Sequence, residues 1–106
     1  VLTLLMINML VRIVKMSFDP EHIDTFLDNF DVVKNNIRNF DGCRYLELYR
    51  DQNHRNIFFT YSYWDNQTLL EKYRTSKLFK EVWSKTKPLF NDKPHAWSVD
   101  KIVSLP

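Results

Sequence analysis

Residues Asn56–Trp64 read NIFFTYSYW, nine positions with neither proline nor glycine and five aromatic rings. Taken as a strand, the alternation sends Phe58, Thr60, Ser62 and Trp64 to one side. Ile57, Phe59, Tyr61 and Tyr63 go to the other. Both sides therefore carry large apolar or aromatic groups. A strand in a sheet covered on one face only should be polar on its second face. This one asks for helices on one side and another apolar surface on the other.

Working outward, the polar run DQNHR (51–55) separates it from a second strand, Cys43 to Arg50, so the two form a hairpin. Upstream, Ile7 to Phe18 reads as a first strand, with Val11, Ile13 and Lys15 on one side and Arg12, Val14 and Met16 on the other. Asp19-Pro20 then supplies an N-cap and a proline at the first helical position. Ile23, Phe26, Leu27, Phe30, Val33, Ile37 and Phe40 follow at helical spacing. Asp41-Gly42 ends that helix and uses the single glycine of the chain. Downstream, Asp65 and Asn66 cap a short helix carrying Leu69, Leu70 and Tyr73. Thr75 and Ser76 interrupt it and cap another carrying Leu78, Phe79, Val82 and Trp83. Pro88 stops this one, and His95 to Val103 reads as the last strand. The order β-α-β-β-α-β predicts an α+β, ferredoxin-like domain with an antiparallel sheet.

Composition sets the outer limits. A chain of 106 residues, 44% hydrophobic and 26% charged, suits one domain with one core. Residues 1–8 read as an N-terminal extension or a prolongation of the first strand, with Met6 and Met9 as candidate starts. The apolar opening VLTLLMINML is shorter than the roughly 20 residues that span a bilayer. It also lacks the basic flank and cleavage site of a signal peptide. No membrane partner is expected, and the setting is taken as cytoplasmic. One glycine excludes the Gly-rich phosphate cradles. A formal charge of +2, with both signs interspersed, argues against a nucleic-acid partner. RNA-recognition motifs share the element order, but the glycines of their stacking platform are missing. Cys43 is the lone cysteine, and no His, Asp or Glu cluster has metal-ligand spacing, so no metal is expected.

The run FDGCRYLELYRDQNHRNIFFTYSYWDNQTLLEKYRTSKLFKEVW (40–83) resembles the antibiotic biosynthesis monooxygenase (ABM) domain. The resemblance is carried by Gly42-Cys43 opening a strand, by Trp64 closing the next, and by the step Ser76-Lys77-Leu78-Phe79. It implies a dimeric α/β barrel in which the second sheet face packs on another copy, with a pocket in each subunit between sheet and helices. Members of that family include cofactor-free oxygenases of polycyclic phenols, quinol monooxygenases and haem-degrading enzymes. Haem-degrading members use an Asn on the first strand and an iron-ligating His on the last helix. Those positions fall here on Val11 and Trp83, and an indole cannot ligate iron. Phenol-oxygenating members can carry an Asn where Thr60 stands, and many quinol-type members a His where Tyr73 stands.

The expected site follows from both readings. Thr60, Ser62 and Trp64 share the helix-facing side of their strand, and Tyr73, Phe79 and Trp83 come from the helices above it. An apolar cavity with few polar groups suits a flat aromatic ligand. Trp64, Tyr73 and His95 are the candidate catalytic residues, and Val11, Thr60, Ser62, Phe79 and Trp83 the candidate substrate contacts. Trp64 Nε1–H or the Ser62 hydroxyl would donate to a phenolate oxygen, and Tyr73 or His95 would take the proton. His95 is the one histidine with a route to an interior. His22 and His54 read as solvated, and Cys43 as a small buried hydrophobe. The function implied is cofactor-independent oxidation of a quinol or polycyclic phenol by O₂ in a homodimer. The alternative is a non-catalytic dimer of the same fold that binds a small hydrophobic or aromatic molecule.

Overall fold

The computed structural model describes residues 9–106, so the expected extension over residues 1–8 lies outside it. Strand β1 (Leu10–Ser17) is followed by a 3-10 turn (Pro20–His22) and helix α1 (Ile23–Arg38). Strands β2 (Cys43–Arg50) and β3 (Ile57–Trp64) form the hairpin. Helices α2 (Gln67–Arg74) and α3 (Lys77–Thr86), a second 3-10 turn (Lys87–Leu89) and strand β4 (His95–Asp100) complete the order. The sheet runs β2-β3-β1-β4, antiparallel throughout, and it is open rather than closed into a barrel. This is the expected α+β, ferredoxin-like arrangement.

The caps are local chemistry at work. Asp19 accepts from the Glu21 amide, Asn66 from Leu69 N at 2.9 Å, and Ser76 from Phe79 N at 3.1 Å. In the hairpin turn Asp51 Oδ1 accepts from the amides of Asn53 and His54 at 2.8 and 2.7 Å. These bonds, the His54 amide foremost, hold its carboxyl below the usual range. Two boundaries differ from expectation. Helix α1 ends at Arg38, where the Asn39 amide donates to Asn35 O and the Phe40 amide to Ile37 O, so Phe40 packs from beyond the helix. Gly42 is therefore not a helix cap. It takes φ 89° to lead into β2 under Leu69, whose Cβ would stand 2.6 Å from any Cβ added there. Strand β4 stops at Asp100, opposite Leu10, and Ile102 and Val103 lie exposed beyond it.

Register places Arg12, Val14 and Met16 beside Ser62, Thr60 and Phe58 on the face toward the helices. The core beneath those helices is in two parts. One gathers Ile37, Cys43, Trp64, Leu70 and Tyr73; the other gathers Met16, Phe18, Phe26 and Phe58. Phe18 is fully buried and stacks on Phe26 with ring centroids 4.1 Å apart. Burial of each such side chain contributes about 1.5–3 kcal/mol. Phe30 touches both parts, and the space between them is not filled.

The opposite face is aromatic, as the alternation in Asn56–Trp64 requires. Tyr45, Tyr63, Tyr61 and Tyr49 form a continuous row with successive centroids 5.0, 5.8 and 6.1 Å apart. Trp97 and Val99 extend it across β4, and Tyr49 and Trp97 are nearly half exposed. Hydrogen bonding to Glu47 pushes the Tyr49 phenol up to about 12.

Candidate functional site

The unfilled space is a cavity of about 510 Å³ between the helix-facing side of the sheet and helices α1, α2 and α3. That volume lies within the range of small-molecule sites. Seven of the eight expected residues line it: Thr60, Ser62, Trp64, Tyr73, Phe79 and Trp83, with His95 at the rim. Their rings form a chain. Trp64 stacks on Tyr73 at 5.0 Å, Tyr73 meets Phe79 edge-on at 5.3 Å, and Phe79 meets Trp83 at 5.7 Å. The chain passes from core to wall, for Trp64 is 1% exposed whereas Trp83 is only partly buried.

Ser62 and Thr86 are the buried polar side chains of the wall, while Asn36, Arg74, Glu81, Lys85 and Lys87 line it from exposed positions. Ser62 is buried on β3, and its Oγ accepts from Trp64 Nε1–H at 3.0 Å. That bond occupies the indole donor, so Trp64 does not offer its N–H to a ligand. The Ser62 hydroxyl proton, by contrast, has no protein acceptor among the described residues. A hydroxyl that accepts one hydrogen bond becomes a better donor of the next. Thr86, buried on α3, donates to Val82 O at 2.7 Å and is thereby spent.

Three expectations need correction. Val11 does not line the cavity: it pairs with Tyr63 and Val99 and is buried on the other face. The inward positions of β1 are its neighbours. His95 stands at the rim, on an exposed edge strand, but shares the outer face with Lys15 and Trp97. Its ring lies nearly parallel to that of Trp97, 6.1 Å away. Tyr73 is a poor proton acceptor, because burial, and secondarily the nearby Cys43, push its phenol well above its ordinary value. Among the histidines, His22 also differs from its solvated reading. It is partly buried, and its Nδ1 has no hydrogen-bond partner among the described residues. Cys43 is a buried thiol raised by desolvation, in keeping with a packing role.

The residue that sequence reading passed over is Arg12. It points to the helix side from the middle of the sheet and lines the cavity. Nη1 donates to Ser98 Oγ on β4 at 2.9 Å, and Arg12 forms no ion pair among the described residues. Desolvation lowers its pKa, and the neighbouring Arg74 lowers it further, against an opposing pull from Glu71. It remains charged nonetheless. Glu71 is itself engaged, 3.2 Å from Arg74 Nη1. The available signal was parity: Arg12 shares its side of β1 with the apolar Val14 and Met16.

No set of three or more His, Cys, Asp or Glu side chains among the described residues is placed to hold a metal ion. Haem does not fit the wall either, since a Trp stands at the expected ligand position and the His95 ring belongs to the other face.

Comparison with known proteins agrees with this fold. The family model described as antibiotic biosynthesis monooxygenase matches residues 9–84. Among solved structures, a conserved protein from Methanosarcina mazei Go1 superposes with a TM-score of 0.83 at 18% identity, over 91% of this chain and 96% of that one. An antibiotic biosynthesis monooxygenase gives 0.82 at 19% identity, over 92% and 100%. The Rv0793 protein of Mycobacterium tuberculosis gives 0.83 at 14%, over 92% and 99%. At these identities the likeness is one of fold. No curated protein matches the chain.

Proposed function

The chain belongs to the antibiotic biosynthesis monooxygenase family, and from that premise we propose a monooxygenase that oxidises a quinol or polycyclic phenol with O₂ and without a resident cofactor. The observation that carries this reading is the cavity itself. It is large enough for fused rings, walled by Phe79 and Trp83, and supplied with one polarised hydroxyl at Ser62.

The chemistry asks little of the protein beyond placement. An ionised, electron-rich ring passes one electron to O₂, giving a ring radical and superoxide. Their combination forms a C–O bond. For an anthrone, the resulting peroxide loses water to leave the quinone, so one oxygen atom enters product and the other enters water. Ser62 donates to the ring oxygen, and Trp64 holds the Ser62 oxygen in place. Tyr73, kept protonated by burial, serves as a wall and not as a base. Thr60 lies beside Ser62 on the sheet floor, and the proton leaves to solvent at the open β4 side. Apolar walls keep water from the peroxide.

We further place the aromatic outer face against a second copy, the arrangement implied by Tyr45, Tyr49, Trp97 and Val99 standing exposed together. Among the described residues no helix is long and apolar enough to cross a membrane. The single free cysteine supports a cytoplasmic setting.

The test is oxygen uptake by metal-free protein with anthrone- and menadiol-like substrates, corrected for autoxidation. Wild type should exceed buffer, with one labelled atom from ¹⁸O₂ in the product. Ser62→Ala should reduce the rate by roughly ten- to a hundredfold. Binding of the ring without any rate above buffer would establish the non-catalytic alternative.

A further inference from the structure

We propose that Arg12 is the recognition point for an anionic oxygen carried on a flat aromatic ligand, pairing with it at the β4 side of the cavity while the rings lie toward Phe79 and Trp83. The inference rests on reading the cavity as a ligand site, and it narrows the ligand to one bearing a carboxylate or phenolate oxygen.

The argument begins with donors. A guanidinium presents five N–H groups, and the hydrogen bonds of Arg12 within the described residues engage only Nη1, toward Ser98. The bond to Ser98 fixes the plane of the group, so the remaining donors need little further ordering. Charge points the same way. Two guanidiniums, Arg12 and Arg74, stand near one carboxylate, Glu71, and that carboxylate is paired with Arg74. Arg12, the group of the three that is partly withdrawn from water, is thereby left without a counter-ion among the described residues. A partly buried cation without a counter-ion is unfavourable, and an incoming anion relieves it. Geometry adds the final element. Arg12 and Ser62 are direct cross-strand partners on the same face and both line the cavity, so a ring whose anionic group lies on Arg12 toward β4 spans the floor that carries Ser62.

The probe is 2-naphthoate set against its neutral counterpart 2-naphthamide, with binding measured by calorimetry on the intact protein. Wild type should prefer the naphthoate by roughly ten- to a hundredfold, the usual worth of a hydrogen bond to a charged group. The preference should shrink as salt is raised. Arg12→Gln should abolish it, and Arg12→Lys should retain a smaller one, lacking the planar fork. Should Arg12→Gln fail to fold, the Arg12 Nε–H resonance of wild type decides the matter: it should move with naphthoate and stay put with naphthamide. A second arm uses 4-nitro-1-naphthol, whose phenolate absorbs visible light. Binding should lower its apparent pKa by about one unit if phenolates are the natural class. Naphthoate preference alone identifies carboxylates. Equal binding of the naphthoate and naphthamide with no shift of the phenol, a preference that survives in folded Arg12→Gln, or no binding of any probe at millimolar concentration overturns the proposal. Oxygen uptake is read separately, so anion selectivity without turnover sinks the monooxygenase reading and leaves this one standing.

Discussion

Gly42 is a residue whose replacement has a predictable direction. At φ 89° an L side chain is strained, and Leu69 Cβ and Cδ1 stand 2.6 and 2.7 Å from where a Cβ would sit. Gly42→Ala should therefore cost about 2–4 kcal/mol, read as a lowered denaturant midpoint with an unchanged slope. The same scale shows how the site was and was not legible. Thr60, Ser62, Trp64, Tyr73, Phe79 and Trp83 could be placed because strand parity and helical spacing fix which way each one points. Val11 came by resemblance to a position rather than by parity, and it lies on the wrong face. Arg12 escaped because a charge in an alternating strand reads as the solvated side. Its parity with Val14 and Met16 sets it on the helix-facing side all the same. The Ser62–Trp64 bond was out of reach for another reason: it joins residues two apart on one face, and only rotamers decide whether such a pair meets.

At the scale of elements, β2 and β3 were readable nearly to the residue, because a polar turn lies between two alternating runs. Helix α1 was overextended since Phe40 continues the apolar spacing without continuing the helix. Strand β4 was overextended because its length is set by pairing with β1, a non-local fact. The register shift between Cys43 and Tyr45 had no sequence signal, yet it has a structural consequence. Arg44, left out of the ladder, grips Asp65 with two bonds of 2.9 and 2.8 Å and ties the start of β2 to the end of β3. The Arg44 hydrogen bond holds the Asp65 carboxyl below its ordinary 3.8. A depressed folded-state value contributes stability above the unfolded pKa and loses it as pH falls through the folded one. Asp65→Asn should thus flatten the acid limb of the stability curve below about pH 4. Its effect at neutral pH should be small, since Arg44 stands in solvent and screening weakens the pair although Asp65 is partly buried. Unfolding midpoints of both proteins across pH 2–7 check this.

For the whole molecule, the sheet has two apolar faces and only one set of helices. Association through the row from Tyr45 to Tyr49 should give a two-fold dimer at micromolar concentration in sedimentation. Tyr61→Glu, in the middle of that row, should shift it to monomer by burying an unpaired charge. A wild-type monomer would leave the aromatic face to a different partner. The three tryptophans divide the molecule in the same way, and this gives it internal optical reporters. Trp64 lies in the dry core, Trp83 beside the cavity and Trp97 on the outer face, 46% exposed. Indole emission moves to the red as water reaches the ring, so the folded spectrum should be a sum of blue, intermediate and red bands. Self-association should remove the red band, an occupied cavity should quench the intermediate and blue bands, whose indoles both line it, and unfolding should move all three to the red. Single Trp→Phe variants would assign the bands, so that one fluorimeter could follow assembly, occupancy and folding as separate signals.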